Sequence, residues 1–147
     1  MKEKIKSSSI VNIFPKELVN NLKDTPFELA LNTSIDIETR VEFLLPFLGV
    51  PSNLKGYNYI KKALIIVCKD ESKLKKVTTF LYPEIAKIYN TTPSRVERSI
   101  RHALEICFNR MDPILAKCFF GYSIDPIKGK CTNTEFIARI CRLLTEV

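Results

Sequence analysis

Apolar residues recur three and four positions apart along most of this chain, and this spacing constrains the fold more than any other feature of the sequence. No segment of useful length alternates apolar and polar residues with a period of two, as a half-buried strand would. The pattern predicts helices that begin near Ile35, Asn53, Pro83, Pro93, Pro113 and Thr132. We therefore expect an all-α protein, a compact bundle of about six helices with a short N-terminal extension.

Prolines and capping residues predict where several of these helices begin and end. Pro46 is expected to kink or end the first helix, because it lacks the N–H that a helix interior requires, and Gly49 to Pro51 is expected to stop it. Pro93 suits the first position of a helix, where the missing N–H has no intrahelical partner anyway. Thr132 and Glu135 are spaced as a capping box at the start of the last helix. Residues 74–81 predict only another helical turn or two.

Composition limits the class of protein. A formal charge of +7 favours anionic partners, nucleic acid first. The longest apolar run, Ala63 to Cys68, is too short to span a bilayer, and no secretory signal follows the basic start. Five cysteines without a C-x-x-C pair, and a single histidine, predict no metal site and reduced thiols, most of them in the core. We expect a cytoplasmic, nucleoid-associated protein with no cofactor and no membrane contact.

The segment from Tyr82 to Leu104 has the spacing of a helix-turn-helix. Its first helix needs a small residue where the second helix crosses close to it, and Ala86 stands there. A tight turn is needed about four residues later, and Asn90 is the best residue after glycine for a left-handed conformation. Val96 lies where an apolar anchor would hold the second helix against the first. This second helix is predicted from about Pro93 to Asn109.

Projection of the second helix at about 100° per residue separates two faces. The apolar face, expected to pack on the core, comprises Val96, Ile100, Ala103, Leu104 and Cys107. The opposite face carries Arg95, Arg98, Arg101 and His102, with Ser94 and Glu105 among them. We call Arg95, Arg98, Arg101 and His102 the arginine face. Because a guanidinium can form two hydrogen bonds with guanine O6 and N7, this face predicts base reading in DNA.

Four further residues extend the predicted DNA surface. Glu97, at the edge of the arginine face, is placed to accept a hydrogen bond from a cytosine amine. Thr91, Thr92 and Ser94 lie near the helix N-terminus, where free hydroxyl and amide donors suit a phosphate. An ordinary interpretation also stands, in which the face is merely solvated and Glu97 forms an i,i+4 ion pair with Arg101. The preceding helix and the turn favour DNA binding.

The same stretch resembles a known family, the C-terminal effector domain of the sporulation master response regulator of endospore-forming bacteria (stage zero sporulation protein A). The similarity runs in order from about Leu48 to Ala138 and is most specific from Asn90 to Ala103, which reads NTTPSRVERSIRHA. It implies a six-helix domain that binds short operator boxes in double-stranded DNA, often as a head-to-tail pair. By position it implies DNA contacts for the arginine face and Glu97, and phosphate contacts for Lys128 and Lys130.

The resemblance also bears on domain organisation and control. We expect an N-terminal extension over residues 1–34, in which Pro15 opens one short helix that ends at Leu22, and a helix-turn-helix DNA-binding effector domain over residues 35–147. The family's regulator carries a phospho-accepting receiver domain before this one. The residues that precede the similarity are too few for such a domain, so control by phosphorylation is not expected.

A second interpretation is a protein-interaction module that binds a full-length regulator or RNA polymerase. It rests on the N-terminal extension and on Phe136, Ile140 and Leu144, which form either an interface or the core side of the last helix. An enzyme is not expected. His102 has no nucleophile beside it by local spacing, and the chain lacks a phosphate-binding glycine loop.

Overall fold

The computed structural model describes residue 20 and residues 22–145, which form helices, turns and loops without a strand. Seven α-helices follow one another in this part of the chain: α1 (Pro26–Ala30), α2 (Ile37–Leu48), α3 (Lys55–Lys69), α4 (Tyr82–Ile88), α5 (Pro93–Arg110), α6 (Pro113–Phe120) and α7 (Asn133–Thr145). The predicted all-α fold is confirmed, and helices α2 to α7 begin within two residues of the predicted starts. No helix among the described residues is both long and apolar enough to cross a membrane.

Pro46 lies inside α2 and does not end it, whereas the stop expected at Gly49 is confirmed. The helix continues to Leu48 and ends at Gly49, whose φ of 112° lies in the left-handed region. The Gly49 N–H donates to the carbonyl oxygen of Leu45 at 3.2 Å and so closes the last turn. Pro46 is exposed, which leaves the carbonyl four residues earlier open to hydration in place of its lost helical donor. A proline two residues from a helix end is therefore tolerated here.

The connection between α3 and α4 is helical but not α-helical. Glu71–Lys76 forms a 3₁₀ helix, and Val77–Leu81 forms a π-helical turn. The predicted helical turn or two is present, as a tightly wound 3₁₀ helix followed by a more widely wound π-helical turn. Val77 and Leu81 are both buried, so the change of winding keeps the apolar residues of this connection on the core.

Helix α3 lies at the centre of the bundle, where it packs against α2, α5 and α7. The core-facing residues of α5 predicted from periodicity are all buried. Helix α7 likewise buries Phe136, Ile140 and Leu144, and the ring of Phe136 stacks on Phe120 at a centroid distance of 5.2 Å. These three residues belong to the core, so they give no support to the interaction-module interpretation.

The start of the described chain is joined to its end by one buried arginine. Helix α1 packs against α2 and buries Phe27 and Ala30. Arg40 in α2 is only 6% exposed; its Nε donates to the carbonyl oxygen of Ala30 and its Nη2 to that of Leu144, each at 2.8 Å. A charged side chain thus supplies donors to the ends of two helices. The helix predicted from Pro15 to Leu22 lies almost wholly outside the described residues.

Candidate nucleic-acid interface

The turn between α4 and α5 has the geometry that the sequence predicted. Asn90 adopts φ of 53°, in the left-handed region. The Asn90 N–H donates to the carbonyl of Lys87 at 3.4 Å, and the Thr91 N–H donates to that of Ala86 at 2.8 Å. This pair of bonds is a Schellman motif, which ends α4 and fixes the direction of the chain into α5. Ala86 is buried, as the close approach of the two helices requires.

The same bonds change what the first turn of α5 can offer to a phosphate. The Thr91 amide is engaged within the turn, so the expectation that it is a free donor is wrong. Thr92 caps α5, because its Oγ1 accepts from the Arg95 N–H at 3.2 Å. The N–H of Ser94 lies at the second helical position, where it has no intrahelical acceptor. The Ser94 amide is therefore a backbone donor of this turn that remains available.

The arginine face lies on the outside of the protein. Arg95, Arg98, Arg101 and His102 are all exposed, and Ser94 is exposed beside them. On the opposite side of α5, Val96 and Ile100 are fully buried. The predicted division of this helix into a core face and a polar face is therefore present in the structure.

One ion pair and one histidine–carboxylate contact divide the arginine face into residues with a carboxylate neighbour and residues without one. Arg101 Nη2 lies 3.6 Å from Glu97 Oε1, and His102 Nδ1 lies 4.0 Å from Glu105 Oε1. Within the described part of the chain, neither Arg95 nor Arg98 has a carboxylate within 4.0 Å. The i,i+4 pair that the sequence left open is present, and it is an exposed pair of the kind that contributes a few tenths of a kcal/mol. Arg95 and Arg98 are the cations most available to an external anion.

A glycine sets how closely α5 lies against the central helix. Gly56 in α3 faces the backbone of Ser99, and a Cβ built at Gly56 would overlap the Ser99 carbonyl oxygen and lie 2.8 Å from the Cβ of Ala103. Only glycine allows this approach. The position of the arginine face relative to the core therefore depends on Gly56, a residue that the sequence alone did not single out.

Asn133 joins the first turn of α7 to both helices of the motif. Its side-chain amide donates to the hydroxyl of Tyr82 in α4 at 3.1 Å and to the carbonyl of Glu97 in α5 at 3.2 Å. Asn133 is one of two buried polar or charged residues among those described, with Arg40 the other. Burial raises the pKa of the Tyr82 hydroxyl, which stays protonated at neutral pH. The sequence indicated Thr132 and Glu135 as a capping box, which forms at 3.0–3.1 Å, but did not indicate Asn133.

The basic loop before α7 is an ordered turn built on Asp125. Oδ1 of Asp125 accepts from the N–H groups of Ile127 and Lys128, at 2.8 and 3.1 Å, and these bonds lower the pKa of its carboxyl group. The Asp125 N–H donates to the carbonyl of Lys130 at 3.0 Å, which closes the loop. Lys128 is exposed and Lys130 is half-buried. The loop leads directly into α7, where the side chain of Asn133 donates to the carbonyl of Glu97 in α5.

A short helix, a left-handed turn and a long helix with a buried underside define a helix-turn-helix domain. Residues 41–144 match the family described as "Sporulation initiation factor Spo0A C terminal". This match covers well over half of the chain, which therefore belongs to that family. The family is one of DNA-binding effector domains that regulate transcription in sporulation, as the resemblance implied.

Proposed function

We propose that this chain is a sequence-specific transcriptional regulator that reads double-stranded DNA with the exposed face of α5. The observation that carries the proposal is the exposure of Arg95 and Arg98, without an ion pair to either within the described residues. An uncompensated guanidinium on a rigid helix can approach a guanine edge without first breaking an internal contact.

The division of labour follows from position on α5. Arg95 and Arg98 lie within the first two turns and contact bases in the major groove. Arg101 exchanges its exposed pairing with Glu97 for a phosphate or a base, because that pair is weak in water. His102 follows Arg101, is exposed as well, and contacts the DNA backbone or a base edge.

Phosphate contacts frame this reading surface on two sides. The Ser94 amide and the hydroxyls of Thr91 and Thr92 lie at the N-terminal end of α5, where a helix favours an anion. Lys128 and Lys130 supply charge from the loop that leads into α7. Phosphate contacts fix the register of α5 on the duplex, and base contacts supply its preference for sequence.

We infer two wider partners from membership of the family. Family membership supports two protomers bound head to tail on tandem operator boxes, with a contact to RNA polymerase as a further partner. Such a regulator acts at the nucleoid, in the cytoplasm. The net charge of +7 supports attraction to DNA in general but not the choice of a site.

The test is a titration of fluorescent duplexes selected from a random pool by the parent protein, compared with scrambled duplexes of the same length. We expect Arg98→Ala to lose roughly 10- to 100-fold in affinity for the selected site and much less for scrambled DNA. Arg110→Ala is the matched control, since Arg110 is exposed on the same helix about three turns further on. Equal affinity of the parent for selected and scrambled duplexes contradicts sequence-specific reading, and so does an equal loss in both variants.

A further inference from the structure

Two cysteines from distant parts of the chain are in contact at the end of the bundle where α3 finishes. The Sγ atoms of Cys68 in α3 and Cys141 in α7 are 3.7 Å apart. Cys68 is half-buried, and Cys141 is 1% exposed. The remaining three cysteines are also free, and no disulfide is present among the described residues. The family's DNA-binding chemistry gives this pair no task.

The contact between the two thiols shifts their pKa values in opposite directions. The Cys68 thiol donates to the Cys141 sulfur, and this bond lowers the pKa of Cys141. The same bond, together with burial, raises the pKa of Cys68. Arg40 lies close enough for its positive charge to act on Cys68, and Glu71 is the opposing negative charge. A hydrogen bond to the Cys141 sulfur stabilises the deprotonated form, and the thiolate is the form of a cysteine that reacts with an oxidant.

The geometry lies within reach of a covalent bond. A disulfide has its sulfurs about 2.05 Å apart, so the two atoms must approach by about 1.7 Å from their separation of 3.7 Å. Small rotations about the two Cα–Cβ bonds move sulfur atoms by such amounts. The helices that carry the two cysteines already pack against each other, so the two sulfurs do not have to be brought together from separate parts of the fold.

We propose that Cys68 and Cys141 are a site of reversible oxidation, at which hydrogen peroxide converts the two thiols into a disulfide between α3 and α7. The Cys141 thiolate attacks one peroxide oxygen and the O–O bond breaks. The other oxygen departs as hydroxide, and Cys141 becomes a sulfenic acid. The Cys68 sulfur then attacks the Cys141 sulfur and forms the S–S bond. The sulfenic oxygen leaves as water with the proton of Cys68. The two thiols lose two electrons in total, and the peroxide gains them.

The link would join the two helices that support α5. Helix α3 contacts α5 through Gly56, and α7 contacts it through Asn133. The arginine face itself is not part of the link, so oxidation changes the stability of the support rather than the groups that read DNA. This site does not depend on the proposed function.

The test uses the full-length protein, hydrogen peroxide, and an alkylating reagent added after the reaction. Trypsin places each of the five cysteines on its own peptide, since a lysine or arginine separates every neighbouring pair. We expect one new peptide that joins residues 63–69 to residues 140–142 and that disappears after treatment with dithiothreitol. The oxidised protein should melt about 5–10 °C higher than the reduced protein, because the link closes a long loop.

Three variants sharpen the result. Cys68→Ser and Cys141→Ser should each abolish the linked peptide and the rise in melting temperature. Cys118→Ser, at another half-buried cysteine, should leave both unchanged. The peptide map of the parent protein decides the matter even if a variant fails to fold. Recovery of Cys68 and Cys141 on separate peptides after oxidation overturns the proposal, as does a link that involves any other cysteine.

Discussion

Two regions of this molecule use positive charge in opposite ways. Arg40 is buried between α1 and α7, and donates to two backbone carbonyls at 2.8 Å. Arg95 and Arg98 are exposed on α5. Among the described residues, no buried side-chain nitrogen or oxygen lacks a hydrogen-bond partner. Charge that is satisfied inside the chain therefore stabilises the fold, whereas charge left in water on α5 is available to a partner.

The largest effect on stability is expected from the buried arginine. Arg40→Met keeps the length of the side chain but leaves the carbonyls of Ala30 and Leu144 without donors. We expect the free energy of unfolding to fall by about 3–4 kcal/mol, because hydrogen bonds from a charged group are strong and buried carbonyls are costly to leave unpaired. Chemical denaturation followed by circular dichroism measures this loss.

The control for that change is Arg139→Met on α7, which removes an exposed arginine. It should change the free energy of unfolding by less than about 0.5 kcal/mol. At temperatures where both variants are folded, each should discriminate selected from scrambled DNA as well as the parent does. A loss of discrimination in Arg40→Met below its melting range would contradict the separation of the two regions.

A medium effect is expected where the core meets the helix that carries the arginine face. Gly56→Ala places a methyl group against the carbonyl oxygen of Ser99, so α3 and α5 must move apart. We expect a loss of about 1–3 kcal/mol in the free energy of unfolding, together with weaker DNA binding, since the shift moves the arginine face. Asn58→Ala, at an exposed position of α3, is the control and should change neither. Unaltered stability in Gly56→Ala would show that the close crossing is not needed.

The smallest effect is expected from the exposed ion pair on α5. Glu97→Gln removes the carboxylate 3.6 Å from Arg101. The free energy of unfolding should change by no more than about 0.5 kcal/mol. Affinity for scrambled DNA should rise roughly 2- to 5-fold, because one negative charge leaves a surface that faces phosphates. A larger loss of stability would assign Glu97 a structural role and weaken its place in the DNA surface.

Local signals made much of the helix-turn-helix predictable. Thr92 and Pro93 mark the start of α5, Asn90 marks the left-handed turn, and the helical period of α5 separates its two faces; all of these act within a few residues along the chain. The Thr91 amide was mispredicted because a Schellman bond runs back to Ala86, and sequence spacing alone did not show that the donor was used.

The support for α5 could not be predicted in the same way, because its contacts join residues far apart in sequence. Gly56 is recognised as necessary only once α3 is seen against Ser99. Asn133 bonds to Tyr82 and Glu97, and an isolated asparagine near a helix start is expected only to cap that helix. Periodicity shows which side of a helix is apolar, but not which polar residue of another helix reaches it.

The Arg40 hydrogen bonds have a consequence for the order in which the chain assembles during synthesis. Leu144 follows Arg40 by 104 residues, so one of its two acceptors does not exist until α7 has left the ribosome. Until then the guanidinium must remain hydrated, and the contact of α1 and α2 with the end of the bundle stays incomplete. Closing so long a loop costs chain entropy that only the rest of the packed bundle can offset. The first described helices are therefore among the last to reach their final environment, although they are made first.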